Sequence, residues 1–144
     1  MTATEDLVRV GRYTILRSLG QGAMADVYLA ELTTSTGFKR KVALKVVRDE
    51  FARDPKFAAL LTREAMIGSY LQHPNIVETL EFDDVDGRMF LALEFVEGHT
   101  VEDLLERRKA GGDVGISADV AVEIIIQVLR GLSYAHNLNS PDDG

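Results

Sequence analysis

The sequence predicts an α+β fold, a five-stranded antiparallel sheet with one inserted helix, followed by two further helices. Three observations lead there. The first third alternates short β-prone runs with glycine- or threonine-rich breaks. Asp54-Pro55 then opens a stretch with helical apolar spacing, and beyond Gly98 the pattern is helical almost to the end.

The elements follow in order. Tyr13-Thr14-Ile15-Leu16, Val27-Tyr28-Leu29-Ala30 and Val42-Ala43-Leu44 read as three antiparallel strands in meander order, with Thr33-Thr34-Ser35-Thr36-Gly37 as the second turn. At Asp54-Pro55 the carboxylate can cap free amides, and proline suits the first helical position. Phe57, Leu60, Leu61, Ile67 and Leu71 then recur at helical spacing until Pro74, which predicts one amphipathic helix from about Pro55 to Gln72. Two more strands are expected at Ile76 to Phe82 and Met89 to Phe95, joined by the acidic turn Asp83 to Gly87. Thr100 caps a short helix with Glu102 and Asp103 in its first turn, Arg107-Arg108-Lys109 in its last and Gly111-Gly112 beyond. Ser117 is read as the cap of a longer helix to His136, whose apolar residues, Ile124, Ile125, Ile126, Val128, Leu129 and Leu132 among them, cover most of the circumference. A helix so apolar all round needs cover. Self-association through exposed apolar surface is therefore expected.

Bulk properties narrow the function. A chain of 144 residues with 46% hydrophobic and 27% charged residues suits one packed domain. The net charge of −7 and the shortness of the basic clusters Lys39-Arg40-Lys41 and Arg107-Arg108-Lys109 argue against nucleic-acid binding. There is no cysteine, which excludes disulfides and thiolate zinc sites and agrees with a reducing cytoplasm. His73, His99 and His136 lie too far apart for a local metal motif. Met1 to Val10 is polar and acidic, and the longest apolar runs are short, so no signal peptide or membrane span is expected.

Three features carry chemistry. Leu19-Gly20-Gln21-Gly22-Ala23-Met24-Ala25-Asp26-Val27 is a glycine loop in which backbone amides can approach phosphate oxygens unobstructed. An ordinary tight hairpin would also account for it. A dinucleotide site would not, since there the glycines open a helix, whereas these open a strand. Strand alternation places Ala43, Lys45 and Val47 on one face, so the Lys45 cation stands among small apolar side chains. An edge-strand lysine reaching for water would look the same. Glu64 interrupts the apolar face of its helix, where a carboxylate needs a counter-charge, although a rim position paired within the helix is the plain alternative. Together with Lys45, the ion-pair reading gains.

At this point the residues resemble a known family. Gly20, Gly22 and Val27, then Val42-Ala43-Leu44-Lys45, then Glu64, then His73-Pro74-Asn75-Ile76-Val77, then Leu93-Glu94-Phe95-Val96-Glu97-Gly98 look like the protein-kinase signature in its proper order. Gly11-Arg12-Tyr13 and Gly131 to His136 resemble the bacterial, eukaryotic-type Ser/Thr kinases. The resemblance implies a kinase small lobe over residues 11–96 after a tail at 1–10. The first two helices of the large lobe would follow within 97–144. It implies that Leu19 to Val27 cover the phosphates of ATP, that Lys45 binds the α and β phosphates, and that Glu64 holds Lys45. Val27 and Ala43 would roof the adenine, Leu93 would guard the back pocket, and the backbone from Glu94 to Val96 would meet the adenine edge. ATP and Mg²⁺ are the implied cofactors, with the metal ligands outside this chain, and a protein hydroxyl is the implied substrate.

Two positions depart from the family pattern. Ala25 replaces the third loop glycine. Gly68 stands where the family has a bulky apolar side chain, which predicts a less firmly packed helix under Glu64. No HRD, DFG or APE string occurs. The expectation is thus an ATP-binding portion of a Ser/Thr kinase that does not transfer phosphate by itself. A short non-catalytic module binding nucleotide or a partner is the alternative.

Overall fold

The computed structural model describes residues 8–112 and 115–138, so expectations for residues 1–7 and 139–144 lie outside the described residues. The chain divides into two compact units. One comprises Met1–Gln72 with Val77–Phe95, the other His73–Ile76 with Val96–Gly144.

The first unit carries the sheet. Its strands are β1 (Arg9–Val10), β2 (Tyr13–Gln21), β3 (Ala25–Thr33), β4 (Lys39–Val47), β5 (Thr79–Val85) and β6 (Arg88–Glu94), in spatial order β1-β2-β3-β4-β6-β5 with every pairing antiparallel. The sheet has one strand more than the sequence predicts, because Arg9–Val10 pairs with Tyr13 and Thr14 and buries Val10. The first three expected strands are also longer at their ends, and the last two are shifted rather than lengthened. β2 runs past Leu16 through two register shifts, between Ile15 and Arg17 and between Ser18 and Gly20, each a bulge that bends the strand. β5 starts at Thr79 instead of Ile76, which belongs to a turn closed by its N–H on the His73 carbonyl. Asp86 and Gly87, both at positive φ, make the two-residue turn between β5 and β6.

Alternation along β4 divides its side chains between two cores. Val42, Leu44 and Val46 join Val10, Tyr13, Ala30, Phe90 and Ala92 on one side. Val47 joins Leu61, Ala65, Met89 and Leu91 on the other, under helix α1 (Pro55–Tyr70). Asp54 accepts a hydrogen bond from the Lys56 N–H at 2.9 Å and Pro55 opens the helix, as the sequence predicts. The buried stripe differs from the predicted one. Leu61 and Ala65 are buried, whereas Leu60 and Ile67 are more than half exposed. The expectation at Gly68 is overturned. A Cβ there would lie 2.2 Å from Thr79 Oγ1, so glycine seats the helix more closely on β5 than any side chain would allow.

The second unit holds α2 (Val101–Ala110) and α3 (Ala118–Asn137). Thr100 and Asp103 form a reciprocal capping box at α2. Ser117 stands at the start of α3 but makes no side-chain capping bond, unlike the sequence reading. Gly131 on α3 packs against Asn75 and Ile76, Asn75 donates to Gln127 at 3.1 Å, and the rings of His73 and Tyr134 lie 5.1 Å apart. Val122, Ile125, Val128 and Leu129 are each more than half exposed.

Candidate functional site

The glycine loop is the hairpin between β2 and β3, with Gln21 opposite Asp26 and Gly22 to Met24 at its tip. The Gly22 N–H donates to the Ala25 carbonyl at 3.0 Å, and a Cβ on Gly22 would sit 2.6 Å from that oxygen. Glycine is thus required here by the turn itself. Gly20 differs, since a Cβ there would meet nothing within 4 Å and its φ is not in the left-handed region. Neither packing nor backbone geometry accounts for glycine at that position. Leu19 is the bulge residue beside it and is partly exposed. Ala25 lies in β3 opposite Val47 and is 7% exposed, so its methyl packs into the sheet.

Lys45 and Glu64 come together. The Lys45 ammonium donates to both carboxylate oxygens of Glu64, at 2.8 and 2.7 Å. Helix α1 aims Glu64 at the sheet from between Leu61 and Ala65, which fasten it. With side chains 29% and 49% exposed, the pair is too wet to be a major stabiliser, which argues for a functional reason to hold it. Register places the other expected residues around it. Lys45 is opposite Val27 on one side and Leu91 on the other, while Ala43 lies between Leu29 and Leu93. Val27, Ala43, Lys45 and Leu93 therefore share one face, a cation bordered by apolar side chains. A small cavity of about 50 Å³ opens beside the pair, lined also by Met24, Phe57, Leu60 and Leu61.

Other expected residues do not join this face. Glu94 ends β6 opposite Val42; its N–H donates to the Glu78 carbonyl at 2.9 Å and its carboxylate accepts from the Glu78 N–H at 3.3 Å. Val96 falls in the second unit and is 61% exposed. Asp26 alternates to the opposite face, where its carboxylate accepts two hydrogen bonds from Arg48 at 3.0 and 3.1 Å. Sequence reasoning gave Arg48 no role. Its signal was the register: Asp26 is opposite Val46, which makes Arg48 the diagonal neighbour on the same face.

The residues fit a nucleotide polyphosphate through a cation, a loop with a side-chain-free position at Gly20, and an apolar face. Among the described residues, no group of three or more His, Cys, Asp or Glu side chains could hold a metal ion, and no helix is long and apolar enough to cross a membrane.

Residues 13–140 match the family model for the protein kinase domain. The chain is similar to the serine/threonine-protein kinase PrkC of Bacillus subtilis, 36% identical over 126 residues that make up 88% of this chain and 18% of that protein. It is similar to the serine/threonine-protein kinase PknH of Mycobacterium bovis, 37% identical with 88% and 20% covered, and to the tyrosine-protein kinase MasK of Myxococcus xanthus, 30% identical with 90% and 20% covered. The crystal structure of the Mycobacterium tuberculosis PknI kinase domain superposes with a TM-score of 0.71 at 30% identity, over 90% of this chain and 49% of that one. The chain thus spans about a fifth of the length of these curated relatives and about half of the solved kinase domain.

Proposed function

Because this chain belongs to the protein kinase family, we propose that it is the ATP-binding portion of a Ser/Thr protein kinase. The observation that carries this reading is the two-contact Lys45–Glu64 pair on the same sheet face as Val27, Ala43 and Leu93. The Lys45 ammonium neutralises charge on the α and β phosphates, and Glu64 keeps that ammonium from swinging to water. The loop from Leu19 to Val27 covers the phosphates, with Gly20 leaving room for their close approach. Val27 and Ala43 pack on the adenine, Leu93 closes the rear of the pocket, and backbone groups from Glu94 to Val96 meet the adenine edge. ATP supplies the γ-phosphoryl group for a protein hydroxyl. Mg²⁺ would neutralise charge on the ATP phosphates, with its ligands outside this chain.

These 144 residues contain no HRD, DFG or APE string, which supports binding without transfer for the chain alone. The same absence favours a second reading, a nucleotide- or partner-binding regulatory module. A cytoplasmic setting, where ATP is supplied, belongs to both. An NMR titration of the 144-residue chain with ATP, with and without Mg²⁺, tests the reading. Weak binding that shifts the loop and β4 resonances is expected, and Lys45→Met should weaken it further. Unchanged affinity in Lys45→Met would remove the site assignment. Transfer to Ser, Thr or Tyr peptides by this chain would overturn the expected inactivity and reveal the acceptor class.

A further inference from the structure

Arg48 lies on the sheet face away from Lys45, yet it is bonded both to the loop tip and to the strand that leaves it. Its backbone N–H donates to the Met24 carbonyl at the loop tip at 3.1 Å. Its guanidinium donates through Nε and Nη2 to Asp26, the first residue after Ala25 in the returning strand. Its carbonyl accepts from the Phe51 and Ala52 N–H groups at 2.9 and 3.0 Å, opening the turn that leads into α1. Phe51 then packs edge-on against Phe57 of that helix, with ring centroids 4.6 Å apart. A further, longer contact of 3.8 Å runs from the guanidinium to Glu50. One residue thus joins the loop tip, the strand leaving the loop and the approach to the helix that carries Glu64.

We propose that Arg48 is a positioning residue that clamps the glycine loop from the outer face of the sheet, through Met24 and Asp26, and so presets the loop over the phosphates. This rests on the ATP-binding reading and deepens it.

The geometry makes the side-chain half of the clamp separable from the fold. Arg48→Met keeps the main-chain bond to Met24 and removes the fork to Asp26 together with the longer contact to Glu50. The pair is partly buried, with side chains 32% and 18% exposed, and both bonds end on one carboxylate oxygen. It therefore couples the loop to β4 more than it adds to global stability. Without the fork, the bound loop arrangement is one of several, and affinity falls by the fraction of chains that hold it. Asp26 is reached by no other cation in an ion pair among the described residues, so Arg48→Lys, which lacks the planar fork, should restore little.

The test is amide hydrogen exchange and ATP titration on the 144-residue chain carrying Arg48→Met, Asp26→Asn, or the exchanged pair Asp26→Arg with Arg48→Asp. Faster exchange confined to residues 22–26 is expected in the single variants. ATP should bind about two- to tenfold more weakly, the span for a partly buried charge-assisted pair, with recovery in the exchanged pair. Unchanged loop exchange would overturn the proposal, as would faster exchange spread over the whole sheet, which would make Arg48 a fold residue only. If Arg48→Met does not fold, Asp26→Asn carries the same comparison. If the unsubstituted chain binds no ATP, the ATP-binding reading fails and with it the phosphate role of Arg48, while exchange at residues 22–26 still decides whether the clamp exists.

Discussion

Gly68→Ala separates close helix seating from ordinary helix propensity. In an exposed helix this change would stabilise by about 1 kcal/mol. Here the new methyl would stand 2.2 Å from Thr79 Oγ1 and 3.2 Å from Thr79 Cβ. Reaching ordinary contact, near 3.4 Å, demands a shift of roughly 1 Å, and overpacking of that kind costs about 1–3 kcal/mol. The net expectation is a loss of about 1 kcal/mol, opposite in sign to the propensity rule. Rotating Thr79 relieves only the hydroxyl, since its Cβ stays tight. Thr79→Ala removes the hydroxyl and the 3.8 Å methyl contact, so the double variant should regain most of the loss. Urea unfolding followed by circular dichroism reads both, with the midpoint falling in Gly68→Ala and recovering in Gly68→Ala/Thr79→Ala. Because Glu64 lies one turn earlier in α1, displacement of the helix end should also loosen its pair with Lys45, seen as a weaker response of β4 resonances to ATP. A Gly68→Ala variant as stable as the parent, or a double variant no better than the single, would refute close seating as the role of Gly68.

Lys45→Met should leave the unfolding free energy from urea titration within about 1 kcal/mol of the parent, because the pair it breaks is largely wet, while ATP binding falls. A large stability loss would mean the pair is structural. Burial first, then the bond donated to Glu81, push the Tyr13 phenol up to about 12. The unfolded chain releases that proton near pH 10, so stability is whole below pH 10 and declines as pH rises toward 12. Alkaline unfolding of Tyr13→Phe should lack that decline. The Thr100 backbone N–H, then its hydroxyl, hold the Asp103 carboxyl below its ordinary value, so the α2 cap holds above the unfolded carboxylate range and is lost as pH falls through the folded value. Helix content should drop on acidification less steeply in Asp103→Ala, which has already lost the cap. Ile125, Val128 and Leu129 on α3 are 57%, 52% and 57% exposed, so sedimentation should find the 144-residue chain self-associating and Leu129→Glu should reduce it. A monodisperse parent would count against that surface.

What was legible in the sequence is what depends on one strand or one helix at a time. Val42 to Val47 alternates strictly, so the face carrying Ala43 and Lys45 follows from the two-residue period alone. Asp54-Pro55 and the Thr100–Asp103 box announce their helices through local hydrogen bonding, and both caps form. The β2 boundary was not legible, because the strand continues through bulges at Leu16 and Leu19 whose cause is pairing with β3. Nor was β1 visible, since two residues carry no period. Gly68 illustrates the harder failure. Read locally, a glycine in a helix means looseness, whereas the approach of Thr79, eleven positions on and in another element, leaves no room for a side chain there. Arg48 is similar, for its tie to Asp26 depends on the register that sets Asp26 opposite Val46. Lys45 and Glu64 escape this limit because each interrupts its own element's apolar pattern, and two such interruptions are resolved by pairing them. A residue that ties a loop from the far face of the sheet, as Arg48 does, interrupts nothing, and only the pairing of strands reveals it.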